Sequence, residues 1–259
     1  MKMTKAFMLR VLGRYAPFPA KNSNCSGYLL TAGEDNFLFD CGNGVLSNLQ
    51  NYLDLSQLSA LFITHHHSDH VADLIALRHA YEDLQSRGEV TSKLPVYTPP
   101  YPQDTVAELE EYPGFDIKFL AEGEDIIIED KKISWSVTNH FLYCAAYRVE
   151  YKEKAFVYTG DNAYDNETIE DNSTADIINL SKGADLLLTE ASLEEEWKKE
   201  PEKRHMSARD AASLAKEAQV KHMVISHFHP RADLRKLLRE SKQIHPNTSL
   251  AVEGTSYLV

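Results

Sequence analysis

The run Thr64-His65-His66-His67-Ser68-Asp69-His70, directly behind the apolar stretch Ala60-Leu61-Phe62-Ile63, most constrains what this chain can fold into. It carries histidines and an aspartate in the spacing His-x-His-x-Asp-His. Imidazole and carboxylate are ligands that borderline divalent metals accept. A strand that stops and releases four such groups together fills parts of two adjacent metal shells. Metal–ligand distances hold to a fraction of an ångström, so the groups belong on the ends of rigid elements.

Four further strand ends repeat the pattern. Phe37-Leu38-Phe39 ends in Asp40, Val137-Thr138-Asn139 in His140, Tyr158-Thr159-Gly160 in Asp161, and Val224-Ile225-Ser226 in His227. Strand-like runs cover Phe7–Gly13, Gly27–Thr31, Phe37–Asp40, Ala60–Thr64, Leu94–Tyr97, Asp125–Ile128, Ile133–Thr138, Ala145–Tyr151, Ala155–Thr159, Leu186–Thr189, His222–Ser226 and Ser249–Val252. Helical periodicity predicts a helix from about Asp69 to Gln85, with Val71, Leu74, Ile75, Tyr81 and Leu84 on one face. A second runs from Ser207, as N-cap, to Gln219, and a third is predicted over Asn166–Ser181. The segment Phe37–Gly44 is weakly echoed by Phe156–Ala163, each a buried strand ending in an acid beside glycine. Two sheets packed together with helices outside account for this pattern.

In chain order, Asp40, His65-x-His67-x-Asp69-His70, His140, Asp161 and His227 resemble the metallo-β-lactamase superfamily over nearly the whole sequence. Thr189-Glu190-Ala191-Ser192 and His205-Met206-Ser207-Ala208 resemble segments of its ribonuclease Z branch, as do Ser26-Gly27-Tyr28-Leu29-Leu30 and Phe39-Asp40-Cys41-Gly42-Asn43-Gly44. The resemblance implies an α/β fold, a four-layer αββα sandwich of two mixed sheets flanked by helices, as one domain over residues 1–259. It implies two divalent ions. Zinc suits the nitrogen and oxygen donors, and manganese or iron is tolerated by such a mixed set. Carried over position by position, His65, His67 and His140 hold the first ion, and Asp69, His70 and His227 the second. Asp161 bridges both, and Asp40 fixes ligand orientation by a hydrogen bond. The resemblance also implies a bridging hydroxide oriented by Asp69, and a leaving oxygen assisted by His205, which Glu190 orients.

The sequence departs from the tRNA-processing enzymes of that branch in one visible place. Those carry a Gly- and Pro-rich arm between the third motif histidine and the bridging aspartate. Here two strands and the turn Lys152-Glu153-Lys154 account for the residues between His140 and Asp161. Thr189 stands where a histidine often precedes the Glu-Ala pair, a smaller departure. A net charge of −12 repels polyanions. The basic-leaning stretches Trp197–Arg204 and Arg231–Arg239 alternate with acids and read as solvated helix faces. Structured tRNA is therefore disfavoured as substrate. The expected function is a phosphodiesterase acting on a small phosphodiester, such as a cyclic nucleotide or a short oligonucleotide. Three alternatives stay open: a lactone or thioester hydrolase on the same metal site, a tRNA 3′-processing endonuclease, and a non-catalytic metal-binding assembly protein.

Lys2 and Lys5 flank a first strand rather than a signal peptide, and no apolar run approaches the ~20 residues that span a bilayer. Cys25, Cys41 and Cys144 show no paired spacing. They read as small buried residues of a protein in a reducing, cytoplasmic setting, with no membrane partner. The branch implies a homodimer as an assembly open to the chain, with C₂ symmetry the usual choice. His66, His79, His222 and His245 read as structural or surface residues. His229 and the polar loop Asn22–Ser26 are left open as substrate contacts.

Overall fold

In a computed structural model of the chain, residues 6–164, 173–197 and 205–259 are described. Met1–Lys5, the first part of the helix expected over Asn166–Ser181 and most of the stretch Trp197–Arg204 lie outside the described residues. The contacts divide the chain into two units. One comprises residues up to Ala121 with Val252–Leu258; the other comprises Glu122–Ala251 with Val259.

In chain order the first unit holds β1 (Phe7–Gly13), β2 (Gly27–Ala32), β3 (Asp35–Phe39), α1 (Val45–Leu49), β4 (Ala60–Phe62), α2 (Ser68–Val71), α3 (Leu74–Ser86), β5 (Leu94–Thr98), α4 (Gln103–Glu110) and β6 (Phe115–Phe119). The second holds β7 (Ile126–Ile128), β8 (Lys131–Val137), β9 (Ala145–Tyr151), β10 (Lys154–Tyr158), α5 (Ser173–Ser181), β11 (Leu186–Glu190), α6 (Ala208–Glu217), β12 (His222–Ser226), α7 (Leu234–Ile244) and β13 (Thr248–Leu250). The last strand, β14 (Ser256–Leu258), pairs with β1 in the first unit.

Each unit contains one seven-stranded mixed sheet, and the two share a construction. The first is ordered β14-β1-β2-β3-β4-β5-β6 and the second β13-β12-β11-β10-β9-β8-β7. Pairing is antiparallel up to β3, which then pairs in parallel with β4. Likewise β10 pairs antiparallel with β9 and parallel with β11. Asp40 follows β3 and Asp161 follows β10, so each aspartate leaves its sheet where the pairing changes direction.

Continuous apolar runs form these strands because both faces of the central ones are buried. Leu29, Leu38, Leu61, Val96 and Phe115 pack with Val45 and Leu49 of α1, Leu74, Leu77 and Tyr81 of α3, and Leu109 of α4. The alternating residues Phe37, Phe39 and Phe62 are fully buried on the other face, and Phe62 stacks on both Phe39 and Tyr97. In the second unit α5 lies on β8 and β9, α6 on β11 and β12, and α7 on β13.

The single helix expected from Asp69 to Gln85 is two, α2 and α3. The break has a local cause: Asp73 N–H donates to Cys41 O (3.0 Å) instead of continuing the helix, while its carboxylate accepts from Leu46 N–H (3.0 Å). The helix expected at Ser207 has its cap there, with Ser207 and Asp210 in a reciprocal capping box.

Candidate metal centre

In the first unit, β4 runs into Ile63 and Thr64, both buried, and the chain then turns through His65 to His67, the N-cap of α2. Asp69 and His70 occupy the first turn of α2 and are its buried residues. Asp40 organises the group from beneath. Its backbone sits at φ +56°, and its carboxylate accepts from Thr64 N–H (2.8 Å), the Thr64 hydroxyl (3.0 and 3.1 Å) and His70 Nδ1 (2.7 Å). With Nδ1 so occupied, His70 has Nε2 as the nitrogen that could bind a metal, 3.6 Å from Asp69 Oδ2. His65 Nδ1 contacts the Thr64 hydroxyl (3.1 Å), and its Nε2 lies 2.7 Å from His67 Nδ1.

Gly42 makes the close approach between these loops feasible. A Cβ there would stand 2.0 Å from Asp69 O, so the backbone of α2 rests on a position without a side chain. Cys41 N–H donates to His70 O (2.7 Å) across the same seam.

In the second unit, the tips of β8 and β10 are stitched together. The Thr138 hydroxyl donates to Asp161 O (2.6 Å), Asn139 N–H to Asn162 Oδ1 (3.0 Å), and Ala163 N–H to Asn139 O (2.7 Å). This brings His140 Nε2 to 4.0 Å from Asp161 Oδ2. His227, one residue past β12 and at φ +57°, places Nε2 3.0 Å from Asp161 Oδ1.

Glu190 closes β11 and is 1% exposed. Its carboxylate accepts from Asn162 N–H (2.8 Å), Met206 N–H (3.3 Å), the Ser192 hydroxyl (2.6 Å) and His205 Nδ1 (3.0 Å). His205 Nδ1 also lies 3.8 Å from Asp161 Oδ2, and its ring is within 5.6 Å of those of His140 and His227. Its side chain is 28% exposed, which sets it apart from its buried neighbours.

These donor sets fit a divalent cation. Two atoms each bound at about 2.0–2.2 Å to one ion stand no more than about 4.4 Å apart. That condition is met by His65 Nε2 with His67 Nδ1, by His70 Nε2 with Asp69 Oδ2, and by Asp161 with His140 or His227. Asp161, His205 and His227 each offer a ligand atom within 4.8 Å of the others. Nitrogen and carboxylate oxygen, with no thiolate, is a set for zinc, manganese or iron.

Within the first unit, then, Asp40, His65, His67, Asp69 and His70 are brought together. Within the second, His140, Asp161, Glu190, His205 and His227 are. The remaining histidines lie apart from these groups. His66 bonds the Thr98 hydroxyl (2.8 Å), and burial holds its pKa below the ordinary value. His79 is exposed, His222 meets Ser249 Oγ (3.0 Å), and His245 is buried against Val220 O (2.9 Å). His229 stacks edge-to-face with Trp197, and its Nδ1 accepts from Arg231 N–H. In the Asn22–Ser26 loop, Asn24 donates to Leu12 O and to Glu253. Thr64, Thr138, Asn162 and Ser192 are the site residues that sequence reasoning does not single out. Their sequence signal is a place one or two residues from an expected ligand or catalytic group and, for Ser192, membership of the Thr189–Ser192 segment.

A family model described as a β-lactamase superfamily domain matches residues 35–228. The probable metallo-hydrolase YhfI of Bacillus subtilis is 30% identical over 224 residues, covering 84% of this chain and 85% of that protein. Its crystal structure, described as a metallo-β-lactamase fold protein, superposes with a TM-score of 0.87 at 26% identity, over 98% of this chain and 99% of the other. Ribonuclease Z of Brevibacillus brevis is 30% identical, with 93% of each chain covered. The crystal structure of the short form of human tRNase Z matches with a TM-score of 0.72 at 22% identity, covering 96% of this chain and 98% of that one. The two mixed sheets flanked by helices are those of this fold.

Proposed function

The chain belongs to the metallo-β-lactamase superfamily, as a metallo-hydrolase, and from that premise we propose that it cleaves small phosphodiesters such as a cyclic nucleotide or a short oligonucleotide. In the assignment that the family pattern carries, His65, His67 and His140 hold one divalent ion, and Asp69, His70 and His227 a second, with Asp161 shared. Such ions, when bound, supply Lewis acidity at a phosphoryl oxygen and lower the pKa of water.

The observation that carries the reading is the pair Glu190–His205. A buried carboxylate holds Nδ1 of the one half-exposed histidine beside Asp161. A carboxylate is an acceptor only, so Nδ1 keeps its proton, and it is as the doubly protonated imidazolium that His205 hands its Nε2 proton to a leaving alkoxide. An ester with an alkoxide leaving group gains from such a donor. Asp69, beside His70 Nε2, is placed to accept a hydrogen bond from the attacking water. Between His140 and Asp161 the chain is taken up by the lead-in Phe141–Cys144 and the hairpin β9–β10, turning at Lys152 and Glu153. This favours a small substrate over structured tRNA.

Turnover of bis(p-nitrophenyl) phosphate, lost in His65→Ala, tests the reading. On a cyclic nucleotide, whose leaving group is an alkoxide, His205→Ala is expected to keep its metal and lose about 10²–10⁴-fold in kcat. A protein with both ions bound and no phosphodiester turnover contradicts the proposal. Lactone or thioester hydrolysis indifferent to His205→Ala assigns the site to that chemistry instead.

A further inference from the structure

We propose that Ser192 is a positioning residue through which one buried carboxylate, Glu190, sets the proton arrangement of two histidines: His205 directly, and His227 through the Ser192 hydroxyl. The inference rests on His227 serving as a metal ligand, as proposed above, but not on which ester the protein cleaves.

Ser192 Oγ lies 2.6 Å from Glu190 Oε2, 2.8 Å from His227 Nδ1 and 2.9 Å from His227 O. A hydroxyl carries one proton and two lone pairs. If that proton went to His227 Nδ1, the oxygen's lone pairs would face a carboxylate oxygen at 2.6 Å with nothing between them. Glu190 is the only charged acceptor of the three and the nearest, so the hydroxyl donates there. Its other three partners, Asn162 N–H, Met206 N–H and His205 Nδ1, are all donors as well. His227 Nδ1 must then donate to Ser192 Oγ. The order is fixed as His227 Nδ1–H to Ser192 O–H to Glu190.

The consequence lies on the other side of the ring. With the one proton of the neutral ring held on Nδ1, His227 turns the lone pair of Nε2 toward Asp161 Oδ1 at 3.0 Å. Two acceptors so close are reconciled by a cation that both can bind, which is the state a metal ligand has to be in. The His227 backbone is held too. A non-glycine residue at φ +57° needs neighbours that determine it, and Ser192 touches both its ring and its carbonyl. Ser192 stands two residues past Glu190 at the end of β11, beside the β12 tip that carries His227, so the relay is built into adjacent parallel strands.

The test compares Ser192→Ala and Ser192→Thr with the full-length wild-type protein. The readouts are zinc retained per chain at buffered free zinc, melting temperature, and the His227 ring tautomer by long-range ¹⁵N–¹H correlation in the zinc-loaded protein. Ser192→Ala is expected to weaken zinc binding at one site about 10–100-fold, the usual cost of removing a partner that orients a ligand histidine. It leaves the other site filled. Ser192→Thr, which keeps the hydroxyl, restores affinity and the Nδ1–H tautomer. Glu190→Gln reproduces the weakening, whereas His205→Ala does not. Wild-type zinc affinity in Ser192→Ala overturns the proposal, as does a wild-type His227 protonated on Nε2. If Ser192→Ala fails to fold, the tautomer in wild type and in Ser192→Thr still decides. Wild-type protein that binds zinc with Nδ1–H at His227 but turns over no phosphodiester overturns the proposed function and leaves this relay standing.

Discussion

Asp40→Asn isolates orientation from packing. Asp40 is fully buried and at φ +56°, a conformation that asparagine tolerates well, and the two side chains have nearly the same volume. Asparagine Oδ1 can still accept from Thr64 N–H, where the aspartate bond is 2.8 Å. The amide NH₂ then faces His70 Nδ1, which in the wild type is 2.7 Å from a carboxylate oxygen. Two donors conflict, so His70 moves its proton to Nε2, the atom needed by the metal. Exchanging a charge-assisted bond for a neutral one costs about 1–2 kcal/mol of stability. For a chain of this size that is a fall of about 2–8 °C in Tm. Metal affinity at the His70 site is expected to fall about 10–100-fold, or about 1.4–2.8 kcal/mol at 1.4 per decade. Zinc competition titration and calorimetry read the two effects separately. Asp40→Ala, which also strands the buried Thr64 N–H, is expected to lose about 1–3 kcal/mol more. An Asp40→Asn protein that binds zinc as the wild type does would show that the Asp40–His70 bond does not set the His70 tautomer.

Three further outcomes follow from the geometry. Gly42→Ala drives a Cβ to 2.0 Å from Asp69 O, and is expected to destabilise by about 1–3 kcal/mol and to lower zinc content; unchanged melting and metal count would count against a tight seam between Gly42 and α2. Burial holds the His222 pKa below its ordinary 6.5, with His245 adding to the effect. Between the lower folded value and 6.5 the unfolded chain binds more protons, so stability falls as pH drops through that window. His66 and His229 are shifted the same way, so His222→Gln should reduce, without abolishing, the loss in urea midpoint between pH 7.5 and 5.5. An identical slope in the variant contradicts this. Cys25, Cys41 and Cys144 are buried, and burial pushes the Cys25 thiol up to about 12. None should react with a thiol reagent at pH 8 until the protein is unfolded, when all three do; fast native labelling would show the opposite.

The strands were legible because their apolar runs are continuous and end in a polar residue, as at Phe39–Asp40 and Ser226–His227. Other features depend on tertiary partners that no local pattern displays. The break between α2 and α3 is made by Cys41 O and Leu46 N–H, which lie 32 and 27 residues from Asp73 in sequence. Strands β6 and β14 escape the sequence reading: β6 is a half-exposed edge strand and β14 only three residues long. Thr64 and Ser192 are ordinary hydroxyl residues by sequence. They matter because Asp40 and Glu190, reached only in the folded chain, lie within hydrogen-bond distance. The shared construction of the two sheets was visible only as the faint echo between Phe37–Gly44 and Phe156–Ala163.

The strand-end side chains are expected to hold a pair of divalent ions. Anomalous scattering at the zinc edge from crystals of the zinc-loaded protein tests it most directly. Two peaks are expected, with His65, His67 and His140 liganding one, Asp69, His70 and His227 the other, and Asp161 both. No peak at these residues, or a peak that leaves out His140 or His227, is incompatible with such a pair.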